Sequence, residues 1–125
     1  MSTFRHKIQV GDPTGQRFEE VETLVDTGAT FTTLPASELR RLNVEPVRTV
    51  RLRMADGRVT ERPLGETKVR VEGQTVTTLV VFAENGMPSL LGVYTLEAAL
   101  LAVDPAGQRL IPTEGLLMCV ASSMP

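Results

Sequence analysis

The chain has very few of the side chains on which common enzyme mechanisms depend. Its 125 residues include a single cysteine, Cys119, and a single histidine, His6. One cysteine cannot form an internal disulfide, so the fold must be stable without one. Mechanisms that pair serine or cysteine with histidine would all depend on His6. Zinc sites usually take several histidine or cysteine ligands, so we expect no metal and no other cofactor.

These two residues are therefore expected to have structural roles. His6 belongs to an N-terminal segment of alternating polar and apolar residues and is expected on the surface of a strand. Cys119 belongs to an apolar run at residues 116–120 and is expected to be a small buried hydrophobic side chain.

Long apolar runs, phosphate-binding loops and a strong charge imbalance are also absent. No apolar run approaches the roughly 18 residues that span a bilayer, and the N-terminus does not resemble a secretory signal. The sequence has neither Gly-x-x-x-x-Gly-Lys nor a Gly-x-Gly-x-x-Gly that follows a strand. The net charge of −2 gives no reason to expect nucleic acid or a membrane as a partner. We therefore expect a cytoplasmic protein in which residues 1–125 form one domain.

What the sequence does contain is a β-rich pattern with two short helices. Strands are expected at residues 4–10, 18–25, 31–34, 67–71, 76–80, 108–111 and 116–120. Short helices are expected at residues 35–42 and 95–102. The strongest local prediction is a hairpin at residues 50–64, because Asp56 and Gly57 lie between two alternating segments and both tolerate positive φ.

A weak internal repeat divides the chain into two halves. An acid, Leu, Val, a second acid and Pro stand at positions 38, 42, 44, 45 and 46, and again at 97, 101, 103, 104 and 105. Each set follows a turn that ends in glycine, at Gly28 and at Gly92. The match is either a coincidence or the trace of two related lobes, of which only one carries an acid at its turn.

That acid, Asp26, is the carboxylate whose position stands out. It follows the hydrophobic end of a predicted strand and precedes Thr27 and Gly28. We expect it to be partly buried, where desolvation would raise its pKa unless a neighbour compensates. The structural alternative is that Asp26 only caps a turn, as aspartate often does.

Two motifs together resemble a known family. Val-Asp-Thr-Gly-Ala-Thr at residues 25–30, with Leu-Leu-Gly at 90–92 and a hairpin between them, resembles the aspartic peptidases of the retroviral protease type, including their small bacterial and archaeal relatives. The resemblance covers roughly residues 21–111. It implies an all-β, retropepsin-like fold, a closed barrel-like half of an acid protease that hydrolyses peptide bonds as a homodimer.

The resemblance also implies roles for individual residues. Asp26 would be the catalytic acid, Thr27 would bond across the dimer axis, and Gly28 would let the substrate backbone approach closely. Active-site support and dimer contacts would come from Thr27, Gly28, Ala29, Thr30, Leu90, Leu91 and Gly92. The flap over a bound peptide would comprise Met54, Ala55, Asp56, Gly57 and Arg58. The run at residues 116–120 would either pair with its counterpart in the dimer or complete the core of the monomer.

The chain departs from the family pattern at Thr30, in the flap hairpin and in the helical stretch at residues 35–42, which is longer than in the viral enzymes. Thr30 stands where retroviral enzymes commonly carry an acid that binds the substrate backbone. The flap hairpin has one glycine and five nearby arginines, which are Arg48, Arg51, Arg53, Arg58 and Arg62. These arginines predict either a solvated face of the hairpin or a preference for acidic peptides.

A single Asp-Thr-Gly implies two chains. Hydrolysis of a peptide bond by carboxylates needs a pair, of which one is ionised and the other protonated. The second half has Leu90 where a second acid is expected, so the partner would be Asp26 of another copy. Two other hypotheses stay open, a non-catalytic dimeric module that binds peptides and a structural dimerisation domain.

Overall fold

The computed structural model describes residues 3–84 and 86–117, most of which lie in strands. The elements in chain order are β1 (Phe4–Gly11), β2 (Phe18–Val25), β3 (Thr32–Pro35), α1 (Ala36–Arg41), β4 (Pro46–Arg53), β5 (Val59–Val71), β6 (Gln74–Ala83), β7 (Leu90–Leu91), α2 (Val93–Ala98), β8 (Leu101–Asp104) and β9 (Arg109–Pro112). The prediction of an all-β fold with short helices is confirmed. The predicted bounds of β2 are those observed, the predicted hairpin around Gly57 is present, and the strands predicted at residues 67–71 and 76–80 form a second hairpin around Gly73.

Seven strands form one sheet in the order β1-β2-β7-β3-β6-β5-β4. β1 also pairs with β5, through Gln9 with Arg70 and Val10 with Val69, so the strand pairing returns from β5 to β1. β8 and β9 form a separate two-stranded sheet. The main core lies between the seven-stranded sheet and the two helices, and its largest fully buried side chains include Phe82, Ile8 and Leu39. Each buried side chain of this size contributes about 1.5–3 kcal/mol of hydrophobic stabilisation.

The second helix differs from its predicted bounds of residues 95–102. α2 begins at Val93, because Gly92 has an extended backbone conformation and serves as its N-cap. It ends at Ala98, and Leu100 has a φ of 56°, which turns the chain out of the helix and into β8. The apolar residues after Leu100 belong to β8, which pairs with β9.

The predicted strand at residues 116–120 falls partly outside the described residues. Leu116 and Leu117 lie outside any strand and are 80% and 102% exposed. Residues 118–120, which include Cys119, are not described, so the prediction that Cys119 is buried stays a prediction.

The two halves of the chain repeat the same pairing pattern. Parallel pairing joins Leu24 of β2 to Leu90 of β7, and Thr33 of β3 to Val81 of β6. Leu24 and Val81 are 57 positions apart, and so are Thr33 and Leu90. α1 and α2 also start 57 positions apart. The halves are therefore related by a shift of 57 residues, whereas the sequence repeat aligned Glu38 with Glu97 and was out of register by two positions.

Candidate active site

Asp26 stands directly after β2, in a tight turn that its own backbone and side chain stabilise. The amide of Ala29 donates to the Asp26 carbonyl oxygen at 3.1 Å. The amide of Gly28 donates to Asp26 Oδ1 at 2.9 Å. Asp26 therefore does cap a turn, and the capping bond also fixes the direction of its half-buried carboxylate. Within residues 3–84 and 86–117, no Lys, Arg or His forms a salt bridge with this carboxylate.

The Leu-Leu-Gly segment packs against this turn from behind. The carbonyl oxygen of Leu91 accepts a hydrogen bond from the Asp26 amide at 3.0 Å. The first amides of α2, those of Val93 and Tyr94, donate to the carbonyl oxygens of Ala29 and Thr30, each at 2.9 Å. The structure thus brings the two sequence motifs together through three backbone hydrogen bonds, as the supporting roles assigned to residues 90–92 require.

Gly92 is where these two segments approach most closely. A Cβ atom at this position would lie 2.5 Å from the carbonyl carbon and oxygen of Phe31 and 2.9 Å from the carbonyl oxygen of Ala29. Real Cβ atoms do not approach backbone atoms so closely, so only glycine fits between α2 and the turn.

The position equivalent to Asp26 in the second half is Ala83, and not Leu90 as the sequence suggests. The shift of 57 residues that relates the halves pairs Asp26 with Ala83, and Thr33 with Leu90. Ala83 is buried and carries no acid, and the next residue, Glu84, is exposed and pairs with Arg62. Of the two equivalent positions only Asp26 is an acid, as the sequence suggests. The position without an acid is Ala83 and not Leu90.

The outer side of the turn faces solvent. Thr27, Gly28 and Thr30 are exposed. A shallow cavity of about 250 Å³ adjoins them, lined by Thr27, Gly28, Ala29, Thr30, Val93, Tyr94 and Glu97. A carboxylate framed by exposed backbone is accessible to an extended peptide or to a second protein chain.

The tip that was expected to form the flap is a five-residue loop, residues 54–58, between β4 and β5. Its ends are joined by the Met54 amide, which donates to the Arg58 carbonyl oxygen at 2.7 Å. The Arg58 amide donates to Asp56 Oδ1 at 3.0 Å, and its guanidinium pairs with Asp56 Oδ2 at 2.6 Å. Only Gly57 of this loop has a positive φ, of 90°, so the expected two-residue turn with positive φ at Asp56 as well is not formed.

The arginines of the hairpin are divided between its two faces. Arg51 lies opposite Glu61 and Arg53 opposite Val59, and both arginines are exposed. The other face carries Leu52, which packs with other apolar side chains in a small cluster of buried and half-buried residues, Val50, Leu64, Val81, Phe31 and Leu79. Arg51 and Arg53 therefore point away from this cluster, as a solvated face predicts.

Arg62, on the inner face opposite Val50, has a structural partner of its own. Its Nε donates to the carbonyl oxygen of Phe82 at 2.9 Å, and its Nη1 donates to Glu84 Oε1 at 2.9 Å. This side chain joins β5 to the end of β6 and is occupied by these contacts. The hypothesis that it recognises acidic peptides therefore has no support from its geometry.

His6 lies in β1, as the sequence predicts, but its side chain is partly buried and not fully on the surface. His6 Nε2 lies 3.0 Å from Oε1 of Glu72, which is in the turn between β5 and β6. The described residues contain no cluster of three or more His, Cys, Asp or Glu side chains that could hold a metal ion. In the same part of the chain, no helix is long and apolar enough to cross a membrane.

Three buried threonines behind the turn are not singled out by the sequence. Thr95 Oγ1 of α2 lies 2.6 Å from Thr32 Oγ1 of β3 and 2.9 Å from Thr78 Oγ1 of β6. The amide of Gly92 donates to Thr32 Oγ1 at 3.1 Å. Threonine is common in strands, so nothing in the sequence distinguishes these three hydroxyls from others of the chain.

Solved structures with a similar fold include two foamy viral proteases. The protease of simian foamy virus (mac) matches with 18% identity and a TM-score of 0.53, over 75% of this chain and 92% of that one. A foamy viral protease-reverse transcriptase in complex with an RNA/DNA hybrid matches with 15% identity and a TM-score of 0.52, over 93% of this chain and 13% of that one. A retropepsin-like aspartic protease from Rickettsia conorii matches with 20% identity and a TM-score of 0.44, over 78% and 82% of the two chains.

No curated protein matches the chain significantly by sequence. The family of gag-polyprotein putative aspartyl proteases does match, over residues 16–98, which is more than half of the chain and includes both motifs and the hairpin between them. The chain belongs to this family and is a retropepsin-like, aspartic-type endopeptidase.

Proposed function

We propose that the chain is one subunit of a homodimeric endopeptidase whose catalytic dyad combines the Asp26 carboxylates of two identical copies. The observation that carries this proposal is the pair of equivalent positions, with the half-buried Asp26 at its turn and Ala83 in its place in the other half. Hydrolysis by carboxylates needs two acids within a few ångströms. A two-fold axis that passes beside the exposed turn would supply the second one.

In this dimer the two carboxylates share one proton, because both cannot be charged at such a short distance. The ionised Asp26 takes a proton from a water molecule, whose oxygen bonds to the carbonyl carbon of the peptide. The protonated Asp26 of the other subunit donates its proton to the carbonyl oxygen. The C–N bond then breaks, the nitrogen takes a proton from the dyad, and the products are a carboxylic acid and an amine. The apparent pKa values of this reaction belong to the pair.

The other proposed site residues act by position. Thr27 is exposed beside the acid, where its hydroxyl can bond to the turn of the second subunit. Gly28 presents bare backbone, so an extended peptide can lie close to the dyad. The loop at residues 54–58 would close over that peptide, exclude water and hold the scissile bond in place.

A subunit-mixing experiment tests the shared dyad. Wild-type chains are mixed with an equal amount of Asp26→Asn chains and allowed to exchange, and cleavage of a peptide library is compared with that of wild type at the same total concentration. If the dyad needs one Asp26 from each subunit, only wild-type pairs are active and about a quarter of the activity remains, whereas self-sufficient subunits would retain about half. Sedimentation at the assay concentration verifies that the species is a dimer.

Two outcomes of this experiment contradict the proposal. Retention of half the activity, or a fully active monomer, would show that a chain does not need Asp26 of a partner. A wild-type dimer that binds peptides in the library and cleaves none of them would instead favour the non-catalytic binding module.

A further inference from the structure

The three buried threonines form one continuous hydrogen-bonded chain that ends at the support of the catalytic turn. Thr32 and Thr95 have no exposed surface, and Thr78 is 1% exposed. Each hydroxyl has one proton and two lone pairs, so the hydroxyl of Thr95 can bond to both of its neighbours. The Gly92 amide donates to Thr32, and either hydroxyl can be the donor between Thr32 and Thr95 and between Thr95 and Thr78. Such a chain polarises along its length, so each bond strengthens the next.

This chain acts on the segment that holds Asp26. Gly92 lies between Leu91, whose carbonyl oxygen accepts the Asp26 amide, and Val93, whose amide donates to Ala29. A shift of Gly92 would therefore move both anchors of the turn together. Gly92 has no side chain, so its polar contacts are the bond that its amide donates to Thr32 and the bond that its carbonyl oxygen accepts from the Leu96 amide.

The three threonines come from elements that are otherwise distant in sequence. Thr32 belongs to β3, Thr78 to β6 and Thr95 to α2, which starts at the segment to be fixed. The hydroxyl of Thr95 is central, because it contacts both of the others. It thus ties the first turn of α2 to two neighbouring strands of the seven-stranded sheet.

We infer that Thr95 is a positioning residue for catalysis, and that with Thr32 and Thr78 it holds the Leu91–Gly92 segment in the register that places Asp26. The inference rests on the proposed dyad, because it assigns the threonines an effect on the geometry of that pair. A small displacement of one acid changes its distance from the other and from the attacking water, and rates fall steeply with such displacements.

Thr95→Val tests this inference, since it keeps the shape of the side chain and removes the hydroxyl. Thr67→Val is the matched control. Thr67 is also 1% exposed, and its hydroxyl donates to the Gly11 carbonyl oxygen, away from the turn. We expect both variants to lower Tm, because each leaves a buried polar group unpaired. Only Thr95→Val should lower kcat per folded dimer, by about tenfold or more with little change in KM, and shift the pH–rate profile.

Two further measurements separate positioning from stability. Thr95→Ser restores the hydroxyl and should recover most of kcat. Amide hydrogen exchange at Asp26 and Val93 should be faster in Thr95→Val than in wild type, and unchanged in Thr67→Val. If Thr95→Val does not fold, Thr78→Val removes the far end of the chain and should give the same effects in weaker form.

The outcomes distinguish this inference from the proposed function. Normal kcat per folded dimer in Thr95→Val, or equal losses in Thr67→Val, would overturn the positioning role while the dyad stands. If wild type cleaves no peptide, the proposed function fails. In that case, unaltered amide hydrogen exchange at Asp26 in Thr95→Val would also reject the inference that the threonines hold the Leu91–Gly92 segment. Faster exchange would support it.

Discussion

The amide of Asp26 donates a hydrogen bond of 3.0 Å to the carbonyl oxygen of Leu91. This bond extends the parallel pairing of Val25 with Leu91 by one step beyond the end of β2. The acid is therefore held by its backbone at the place where the two halves of the chain meet. Changes to its side chain leave that backbone bond in place, so they can test chemistry without dismantling the turn.

Asp26→Asn should reduce peptide cleavage by about 10²–10⁴-fold, because the amide cannot act as a base. The asparagine side-chain oxygen can still accept the hydrogen bond of the Gly28 amide, so we expect the fold and the dimer to persist. Cleavage is measured with a fluorogenic peptide library, and circular dichroism and sedimentation serve as controls. Activity near that of wild type in a folded dimer would exclude Asp26 as the catalytic acid.

Gly57→Val should impair closure of the loop at residues 54–58. The φ of Gly57 is 90° and a Cβ atom there meets open space, so the cost of about 1–2 kcal/mol comes from the backbone alone. Gly73→Val is the matched control, because Gly73 has a φ of 77° and equally open surroundings in the turn between β5 and β6. We expect both variants to lose similar stability, measured by urea unfolding.

Only Gly57→Val should lower kcat/KM, with dimer affinity unchanged. Equal kcat/KM in the two variants would show that the hairpin around Gly57 is not a flap.

Gly92→Ala should destabilise the protein by at least about 2 kcal/mol, because the new Cβ atom would overlap the backbone of Phe31. Gly115→Ala is the control, since its Cβ atom would make ordinary contact with Leu100 Cδ2 at 3.7 Å. Urea unfolding of both variants gives the comparison. A stability loss at Gly92 no greater than that at Gly115 would mean that the turn can move away from α2 at little cost.

Stability in acid should depend on Asp12, in the connection between β1 and β2. The hydroxyl of Thr14 and then the amide of Arg17, with that of Gln16, donate to its carboxylate and lower its pKa to about 2. A carboxyl group whose pKa is lowered by folding stabilises the fold above its unfolded pKa of about 4, and this stabilisation is lost as the pH falls towards 2. Asp12→Asn should therefore remove part of the decrease in Tm between about pH 4 and 2.

Thr14→Ala provides the matched test of the cause. Because the Thr14 hydroxyl has the largest effect, its loss should raise the pKa of Asp12 towards the ordinary value, as measured by NMR titration of the carboxyl carbon. An unchanged titration would assign the lowered pKa to the backbone amides alone.

The parts of the fold that the sequence predicts well are those with a local cause. β2 and the hairpin around Gly57 follow from alternation of side chains and from a glycine between two alternating segments. The end of α2 could not be predicted in this way. It depends on the positive φ of Leu100, which no local sequence pattern indicates. The apolar residues that follow Leu100 fit a helix and a strand equally well.

In the candidate site, too, the sequence predicts the local motifs and not the contacts between distant segments. Asp26 and the Leu-Leu-Gly segment are recognisable as motifs, but the equivalence of Asp26 with Ala83 is a property of strand register. Register arises from pairing between segments far apart in sequence. The repeat read from the sequence is shifted by two positions from the structural repeat, and the residues fit it equally well. The three threonines are hidden for a related reason, since their contacts join residues up to 63 positions apart.

The arginines on the outer face of the hairpin have a consequence for how copies of the chain meet. β4 is at the end of the seven-stranded sheet, and no strand among residues 3–84 and 86–117 pairs with its outer edge, which offers backbone groups to which another strand could add. Arg51 and Arg53 place positive charge along that strand, so two copies that approached edge to edge would repel each other. The repulsion is screened within about 10 Å at 0.1 M salt and more strongly above it. Concentrated salt should therefore promote fibre-like contacts between hairpins, and lysine at both positions should resist this as well as arginine does.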